Sequence, residues 1–307
     1  MNWQMKMKYK LGKQFTHTGC HMINMGTERN LHAGKVSISP SSKKLNEDYL
    51  TYASNWVNQD EDAHICIIAD GMGGHTSGNA ASYYAVNFIL KWWKSTIWNH
   101  NSADKFFEEC QESIIDAFYE INDNLLELGR LEGKKIGTTL SVLIFVKNTY
   151  YICHVGDTRI YRFREQVLVP EKPTEDTIDL DEEKSLVQLT EDHSWAAMQV
   201  KSGQMDIDEA KSHEKAHYLT QCMGVKGDIK PFTASGSFTG ADYFLLTSDG
   251  FHNLITDSTL REQWCKELEV HTEIQDICDS FYNTVKTFGF HDDVSMLMVN
   301  IGSRTEG

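Results

Sequence analysis

Short apolar runs bounded by polar and glycine-containing turns give the chain its main pattern. The runs are rich in β-branched and aromatic residues, which is typical of buried strands. They cover residues 64–69, 138–146, 149–155, 159–163, 243–247 and 294–301. Only Lys147 and Asn148 separate the second run from the third, so this pair predicts a β-hairpin.

Other segments repeat apolar residues at steps of three and four, the period of a helix with one buried face. The clearest covers residues 107–128, and Gly129 and Gly133 are expected to end this helix. The further segments of helical character are residues 79–98, 195–218 and 260–288. Because strand runs bracket helix pairs without regular alternation, the pattern favours an α+β fold with helices packed outside antiparallel sheets.

The composition is that of a globular chain: 40% of the 307 residues are hydrophobic, 24% are charged and four are proline. No apolar run approaches the roughly 20 residues of a membrane helix, and residues 1–30 lack the apolar core of a secretory signal. The seven cysteines form no C-x-x-C motif, which favours free thiols in a reducing compartment. We therefore expect a soluble, cytoplasmic protein without a membrane partner.

The net charge of −15 is distributed unevenly. Residues 1–44 form a basic N-terminal segment with eight Lys or Arg and one acid, whereas the rest of the chain is strongly acidic. Residues 171–183 alone hold seven acids, which predicts an exposed loop insertion over about 168–184. An acidic body argues against nucleic acid as a partner and suits a cation-binding site, although a solvated acidic surface would give the same balance.

Four aspartates share one setting, the end of a predicted buried strand or the position just before one. They are Asp70, Asp157, Asp249 and Asp292. Carboxylates on rigid strand ends, with glycine where the backbone must approach closely, suit hard cations such as Mg²⁺ and Mn²⁺. An aspartate before glycine is also an ordinary turn signal, but four such positions together with Asn46-Glu47-Asp48 favour a two-metal hydrolytic site.

Eight motifs in a fixed order make this pattern specific. They are NED (46–48), DGMGGH (70–75), GTTL (137–140), HVGDTRIYRF (154–163), QLTEDHS (188–194), LTQCMG (219–224), LLTSDGF (245–251) and DDVS (292–295). The series resembles metal-dependent protein serine/threonine phosphatases of the type 2C family, and DGMGGH is similar to its bacterial branch. The resemblance implies a four-layer αββα fold, a central antiparallel β-sandwich flanked by helix pairs, and a single catalytic domain over residues 1–307.

The resemblance also implies a set of metal ligands. Asp70 matches the carboxylate that bridges two metal ions, and the Gly71 carbonyl completes the first ion. Asp249 and Asp292 match ligands of the second ion, and Asp157 matches a ligand of a third, weaker ion in bacterial members. The implied cofactors are two Mn²⁺ or Mg²⁺ ions, with the third at Asp157.

Substrate-handling residues follow from the same resemblance. Glu47 and Asp48 match acids that orient metal-bound water, so with Asp70 they are the expected catalytic residues. The family places a phosphate-gripping Arg five residues before Asp48, where this chain has Lys43, and the neighbouring Lys44 is an alternative occupant. Residues 195–217 match the family's flap beside the active site, or they form an ordinary surface helical hairpin.

Together these features predict metal-dependent hydrolysis of phosphoserine and phosphothreonine in proteins. The expected mechanism is direct attack by a metal-bridging hydroxide without a phosphoenzyme. The expected partners are a phosphorylated protein substrate and a cognate Ser/Thr kinase. Two alternatives stay open: a catalytically weak phosphoprotein-binding regulatory module, and a phosphatase of a small phosphorylated metabolite.

Overall fold

A computed structural model describes residues 31–43, 45–73, 76–97, 100–164, 186–225 and 228–302 of the chain. The strands are β1 (Leu31–Ile38), β2 (Asp48–Trp56), β3 (Asp62–Met72), β4 (Gly137–Thr138), β5 (Leu140–Val146), β6 (Thr149–Val155), β7 (Arg159–Arg164), β8 (Leu186–Gln188), β9 (Phe232–Ser237), β10 (Asp242–Thr247) and β11 (Val294–Ile301). The helices are α1 (Thr76–Ile97), α2 (Ala103–Glu132), α3 (Trp195–Lys201), α4 (Ile207–Ser212), α5 (Asp249–His252), α6 (Asp257–Val270) and α7 (Ile274–Phe288).

Two antiparallel sheets form the centre of the molecule. Sheet 1 has the order β1-β11-β10-β7-β8, and sheet 2 has the order β2-β3-β5-β6-β9 with β4 paired to β3. The predicted hairpin is confirmed, since Val146 of β5 pairs with Thr149 of β6 across Lys147 and Asn148. Lys147 closes this turn with a positive φ of 54°.

Three apolar clusters separate four layers of structure. One lies between the two sheets, one between sheet 2 and the helix pair α1 and α2, and one between sheet 1 and the helix pair α6 and α7. Burying both faces of a sheet removes its apolar side chains from water on each side, which is the main stabilising term of such layers. The arrangement confirms the predicted α+β fold with four αββα layers.

The central strands read as continuous apolar runs because both of their faces are buried. In β3, Ile65 and Ile67 face the helix layer, whereas Cys66 and Ile68 face the other sheet. Successive side chains of a strand point to opposite faces, so most positions of such a strand are apolar instead of every second one. β11 follows the same rule, and this is why both strands were evident from the sequence.

Helix α2 carries the clearest helical period, and its end corrects one expectation. Its apolar stripe packs on sheet 2, as the three- and four-residue steps predict. Gly133 caps the helix by donating its backbone N–H to the carbonyl of Gly129. Gly129 was also expected to stop the helix, and this is wrong: it is a buried helical residue that lets the Lys134 carbonyl approach closely.

The structure describes the segment predicted to be a flap or a surface hairpin, but not the predicted acidic insertion. Residues 195–217 contain α3 and α4, capped by Ser194 and Asp206, whose side chains accept the N–H groups of Ala197 and Glu209. The acidic insertion at about 168–184, most of the basic N-terminal segment and Lys44 lie outside the described residues. Among the helices of the described ranges, none combines the length and apolar character needed to cross a membrane.

Phe145 tests the cluster between the sheets. Its ring is fully buried, 5.1 Å from the ring of Phe238 and 4.9 Å from that of Phe244 in the opposite sheet. Phe145→Ala should lower the free energy of unfolding by about 3–5 kcal/mol because it removes contacts to both sheets and leaves a cavity. Urea unfolding followed by fluorescence measures this change.

Two control variants make the result specific. Phe145→Leu keeps most of the buried volume and should cost much less. Tyr119→Ala changes a side chain on α2 that is 44% exposed and should have little effect. A loss for Tyr119→Ala as large as that for Phe145→Ala would contradict this description of the core.

Candidate metal centre

Antiparallel pairing brings the acidic strand ends to one end of the sandwich. In sheet 2, Asp48 at the start of β2 lies directly opposite Asp70 near the end of β3. In sheet 1, β10 pairs with both β7 and β11, so the loops that flank these strands emerge beside one another. The aspartates that surround Asp70 closely enough to perturb its ionisation are Asp48, Asp157, Asp249 and Asp292.

Asp70 is the common member of this carboxylate cluster. Its pKa lies well above the ordinary value, first because the protein desolvates the carboxyl and then because the neighbouring carboxylates repel its charge. Its backbone is fixed on both sides: Thr139 accepts the Asp70 N–H through Oγ1 at 2.8 Å, and the Asp70 carbonyl accepts the Thr138 hydroxyl at 2.8 Å. The charge is therefore held in a rigid frame.

Asp48 and Glu47 line the same site from β2 and its approach. Both are buried, at 4% and 8% exposure. Burial raises the pKa of Asp48, and hydrogen bonds from Ser295 and Ser248 oppose the rise. The Glu47 backbone connects two parts of the site, since its N–H donates to Asp293 at 2.8 Å and its carbonyl accepts the Gly71 N–H at 3.0 Å.

Asp157 and Asp249 complete the cluster from the side of sheet 1. Burial and repulsion from Asp249 and Asp192 raise the pKa of Asp157 to about 8. Burial and the Asp292 charge raise the pKa of Asp249, while a hydrogen bond between its carboxyl group and that of Asp70 opposes the rise. Two carboxyl groups so close must share a proton or a cation.

Lys43 places an ammonium group at the exposed side of the cluster. Its Nζ forms an ion pair with Asp292 Oδ1 and lies 3.2 Å from Asp293 Oδ2 and 3.6 Å from Glu47 Oε2. Burial alone would lower the pKa of Lys43, but hydrogen bonds and Coulombic attraction to the two aspartates raise it above the usual value. Lys43 therefore lies at the acidic cluster as a cation held by its ion pairs, and its role in phosphate binding stays a prediction.

The available oxygen atoms fit a divalent cation. Asp48 Oδ2, Asp249 Oδ1 and Asp293 Oδ1 are buried and accept no hydrogen bond from the residues that the structure describes. Buried carboxylate oxygens without donors are costly unless a cation compensates them, and Mg²⁺ and Mn²⁺ prefer such ligands. In the described ranges no three acidic, histidine or cysteine side chains form a finished coordination set, so the fit rests on converging strand ends and uncompensated oxygens.

Gly71 and Gly78 allow the backbone to approach this centre. A Cβ at Gly71 would lie 2.1 Å from the Gly78 carbonyl oxygen, and a Cβ at Gly78 would lie 2.3 Å from Glu47 Oε1. Both distances are far below contact, so only glycine fits where β3 passes the start of α1. Close packing thus explains the glycine that follows Asp70 in the DGMGGH motif and the glycine at position 78, just beyond it.

Asp293 is a site residue that sequence reasoning missed. Its side chain is 2% exposed, whereas that of the neighbouring Asp292, the predicted metal ligand, is 58% exposed. The signal was present in the doubled acid of DDVS, which offers two neighbouring carboxylates just before β11. Thr139 was also missed as the residue that holds Asp70, although it lies in the GTTL motif.

Residues 195–217, the segment predicted to be a flap or a surface hairpin, lie beside the cluster, because His217 is close enough to Asp249 to lower its pKa, and hydrogen bonds join the two ends of the segment. Trp195 donates its backbone N–H to the Tyr218 carbonyl at 2.7 Å, and Ser194 bridges to Leu219. The Trp195 ring stacks on His213 at 4.3 Å between centroids. These contacts hold α3 and α4 together as one hairpin next to the site.

Known proteins resemble this chain in sequence and in structure. A sequence model of the protein phosphatase 2C family matches residues 40–279. Protein phosphatase PhpP of Streptococcus pneumoniae is 32% identical over 220 residues, which are 71% of this chain and 77% of PhpP. The fold is similar to that of the serine/threonine phosphatase Stp1 from Staphylococcus aureus, with a TM-score of 0.71, 23% identity and coverage of 94% of this chain and 100% of Stp1.

A metal-containing structure is also similar in fold. It is the catalytic domain of the serine/threonine protein phosphatase PstP in complex with two manganese ions. The TM-score is 0.66 at 19% identity, and the match covers 89% of this chain and 99% of the PstP domain.

Metal addition tests the compensation of the carboxylate cluster. Saturating Mn²⁺ or Mg²⁺ should raise the melting temperature by roughly 5–10 °C, because an ion that binds only the folded state at about 100 times its Kd stabilises that state. Asp70→Asn should lose most of this increase, whereas Asp116→Asn, an exposed acid on α2, should keep it. Differential scanning fluorimetry with and without EDTA measures the shift, and an equal shift in both variants would contradict the site.

Proposed function

This chain belongs to the protein phosphatase 2C family, and from that premise we propose that its carboxylate cluster is the metal centre of the active site. The chain is a metal-dependent protein serine/threonine phosphatase. The observation that carries the proposal is the setting of Asp70, which is surrounded by carboxyl groups from both sheets. Because burial and mutual repulsion raise the pKa values of these groups, all of them can be ionised together at neutral pH only when bound cations offset the repulsion.

The proposed ligand assignment is the one that the family resemblance implies for these strand-end residues. Asp70 and the Gly71 carbonyl would hold one divalent ion, and Asp70, Asp249 and Asp292 would hold the second. Asp157 would hold a third, weaker ion from the loop between β6 and β7. We propose Mn²⁺ or Mg²⁺ in these positions, since all the donors are oxygen atoms.

The residues around the metal ions have separate proposed roles in phosphate ester hydrolysis. Divalent ions held at such a site would lower the pKa of bound water and would neutralise charge on the phosphoryl group. Glu47 and Asp48 accept hydrogen bonds from water at the centre and so orient it. Lys43 binds a phosphate oxygen of the substrate as a point charge.

The two alternative functions are less well supported. A catalytically weak regulatory module would not require desolvated acids from both sheets to converge on Asp70, because an unused cluster costs stability. A small phosphorylated metabolite would need an enclosed pocket, whereas the segment beside this site, residues 195–217, carries two largely exposed helices. We therefore propose phosphorylated proteins as substrates and residues 1–307 as a single catalytic domain.

A partner kinase and the cellular location stay predictions. A phosphoprotein substrate requires a Ser/Thr kinase that forms it, so we propose a cognate kinase. The six cysteines in the described part of the chain are free, and five of them are buried, which supports a cytoplasmic location.

Hydrolysis assays with a phosphothreonine peptide and with p-nitrophenyl phosphate test the function. Activity should require Mn²⁺ or Mg²⁺ and disappear with EDTA. Asp70→Asn should lower kcat/KM on both substrates by at least about a thousandfold, because an amide cannot supply the charge that holds two cations. Wild-type activity of Asp70→Asn at saturating Mn²⁺ would show that the metal assignment is wrong.

A variant of Asp157 distinguishes the proposed third ion from the central pair of ions. Asp157→Ala should bind two Mn²⁺ ions with near-normal affinity, because Asp70 and Asp249 remain, yet kcat should fall on the phosphopeptide. Calorimetric metal titration beside steady-state kinetics measures both effects. Full activity would reduce Asp157 to a turn residue, and loss of both tight ions would place it in the central pair.

Lys43 tests phosphate binding. Lys43→Ala should lower kcat/KM about tenfold to a hundredfold, mainly through KM, since a charge-assisted hydrogen bond to phosphate is lost. Lys43→Arg should keep or improve activity because guanidinium also binds phosphate. Lys44→Ala serves as the matched control, and an effect of that variant alone would assign the role to Lys44.

A further inference from the structure

His193 forms hydrogen bonds with two separate segments, the loop that carries Asp157 and the residues that follow the flap. Its backbone N–H donates to the Gly156 carbonyl at 2.7 Å, and its Nδ1 accepts the Gly156 N–H at 3.1 Å. Its own carbonyl accepts the Thr220 N–H at 2.8 Å, just beyond the flap. One residue therefore holds the loop that carries Asp157 and also the neck of the flap.

A buried histidine supports the other side of the same loop. The His154 side chain is fully buried, and its Nε2 lies 3.2 Å from the Glu191 carbonyl oxygen. Because a carbonyl oxygen can only accept, Nε2 carries the proton and donates this hydrogen bond. Nδ1 then accepts the Ser141 hydroxyl at 2.7 Å, and Ser141 in turn accepts the Thr158 hydroxyl at 2.7 Å. Burial lowers the pKa of His154 to about 3, which keeps this neutral tautomer in place.

The two histidines and an ion pair form one connected block. The His154 and His193 rings stack at 5.2 Å between centroids with an interplanar angle of 25°. Arg159 donates to Asp192 from Nε, at 3.1 Å to Oδ1 and 3.0 Å to Oδ2, and from Nη2 at 2.7 Å to Oδ2. Residues 191–193 are thus fixed to both sides of Asp157, and residue 195 begins the flap.

We infer that His193 is a positioning residue that couples the flap to the Asp157 carboxylate. If the flap moves, its neck moves the His193 backbone, and the imidazole carries the Gly156 amide with it. Coupling between two sites is reciprocal, so an ion held by Asp157 must also restrict the flap. The inference rests on the proposed role of Asp157, and it adds a path by which a protein substrate against the flap alters that ligand.

Hydrogen exchange of the whole protein, followed by mass spectrometry, tests this coupling directly. The informative peptides cover residues 150–158, 195–218 and, as a reference for the central pair, 66–73. In the wild type, Mn²⁺ should slow exchange in all three. In His193→Ala, exchange of the first two should rise about fivefold, as expected for one lost hydrogen bond, and the flap should no longer respond to Mn²⁺ while residues 66–73 still do.

Two variants separate coupling from a general loss of structure. His193→Asn keeps an acceptor near the position of Nδ1 and should restore the Mn²⁺ response of the flap. His213→Ala is the matched control, because His213 accepts the Lys215 N–H through Nδ1 at 3.1 Å and lies wholly within the flap. It should speed exchange of residues 195–218, leave residues 150–158 unchanged and keep the Mn²⁺ response.

Three outcomes would overturn the inference, and a fourth would contradict the proposed function instead. The inference is overturned if the flap of His193→Ala still responds to Mn²⁺, if only the flap and not residues 150–158 loosens, or if the wild-type flap shows no response while residues 66–73 do. A wild type in which Mn²⁺ slows exchange nowhere, together with absent phosphatase activity, would instead contradict the proposed function and remove the basis of the inference.

Discussion

Mutual repulsion among carboxyl groups at one end of the β-sandwich is the constraint on which the rest of the structure depends. Asp70 has four such neighbours, and each charge drawn out of water raises the cost of the next. Flexible loops would move these groups apart and lose the site. The strands and their hydrogen-bonded flanks hold them in place, and the apolar layers on either side make the frame rigid enough to do so.

The two sheets contribute different parts of this centre. Asp48 and Asp70 come from paired strands of sheet 2, while Asp249 and Asp292 flank the paired strands β10 and β11 of sheet 1. Asp157 lies where the chain crosses from β6 in sheet 2 to β7 in sheet 1. The centre therefore exists only when both sheets pack together, so the interior cluster around Phe145 is a condition for the chemistry as well as for stability.

The sequence was most informative where burial is complete and least informative at edges and contacts between distant residues. Strands β3 and β11 were evident, because both faces are apolar. The edge strands β1, β2 and β9 were not singled out, since their burial is partial and polar residues interrupt the pattern. Likewise the strand-end acids could be found one by one, but the pairing of Lys43 with Asp293 joins residues 250 apart and follows only from the fold.

The distribution of charge limits how a phosphorylated protein can bind here. The chain carries a net charge of −15, so its overall field repels a phosphate-bearing partner. At physiological ionic strength that field is screened beyond about 8 Å, and attraction must then come from cations within the site itself. Lys43, which forms ion pairs with Asp292 and Asp293, is one cation that we propose for this role, and the proposed metal ions would supply further positive charge. With these proposed roles, substrate binding and metal binding are linked, because the acids proposed to hold the metals also determine where the charge of Lys43 lies.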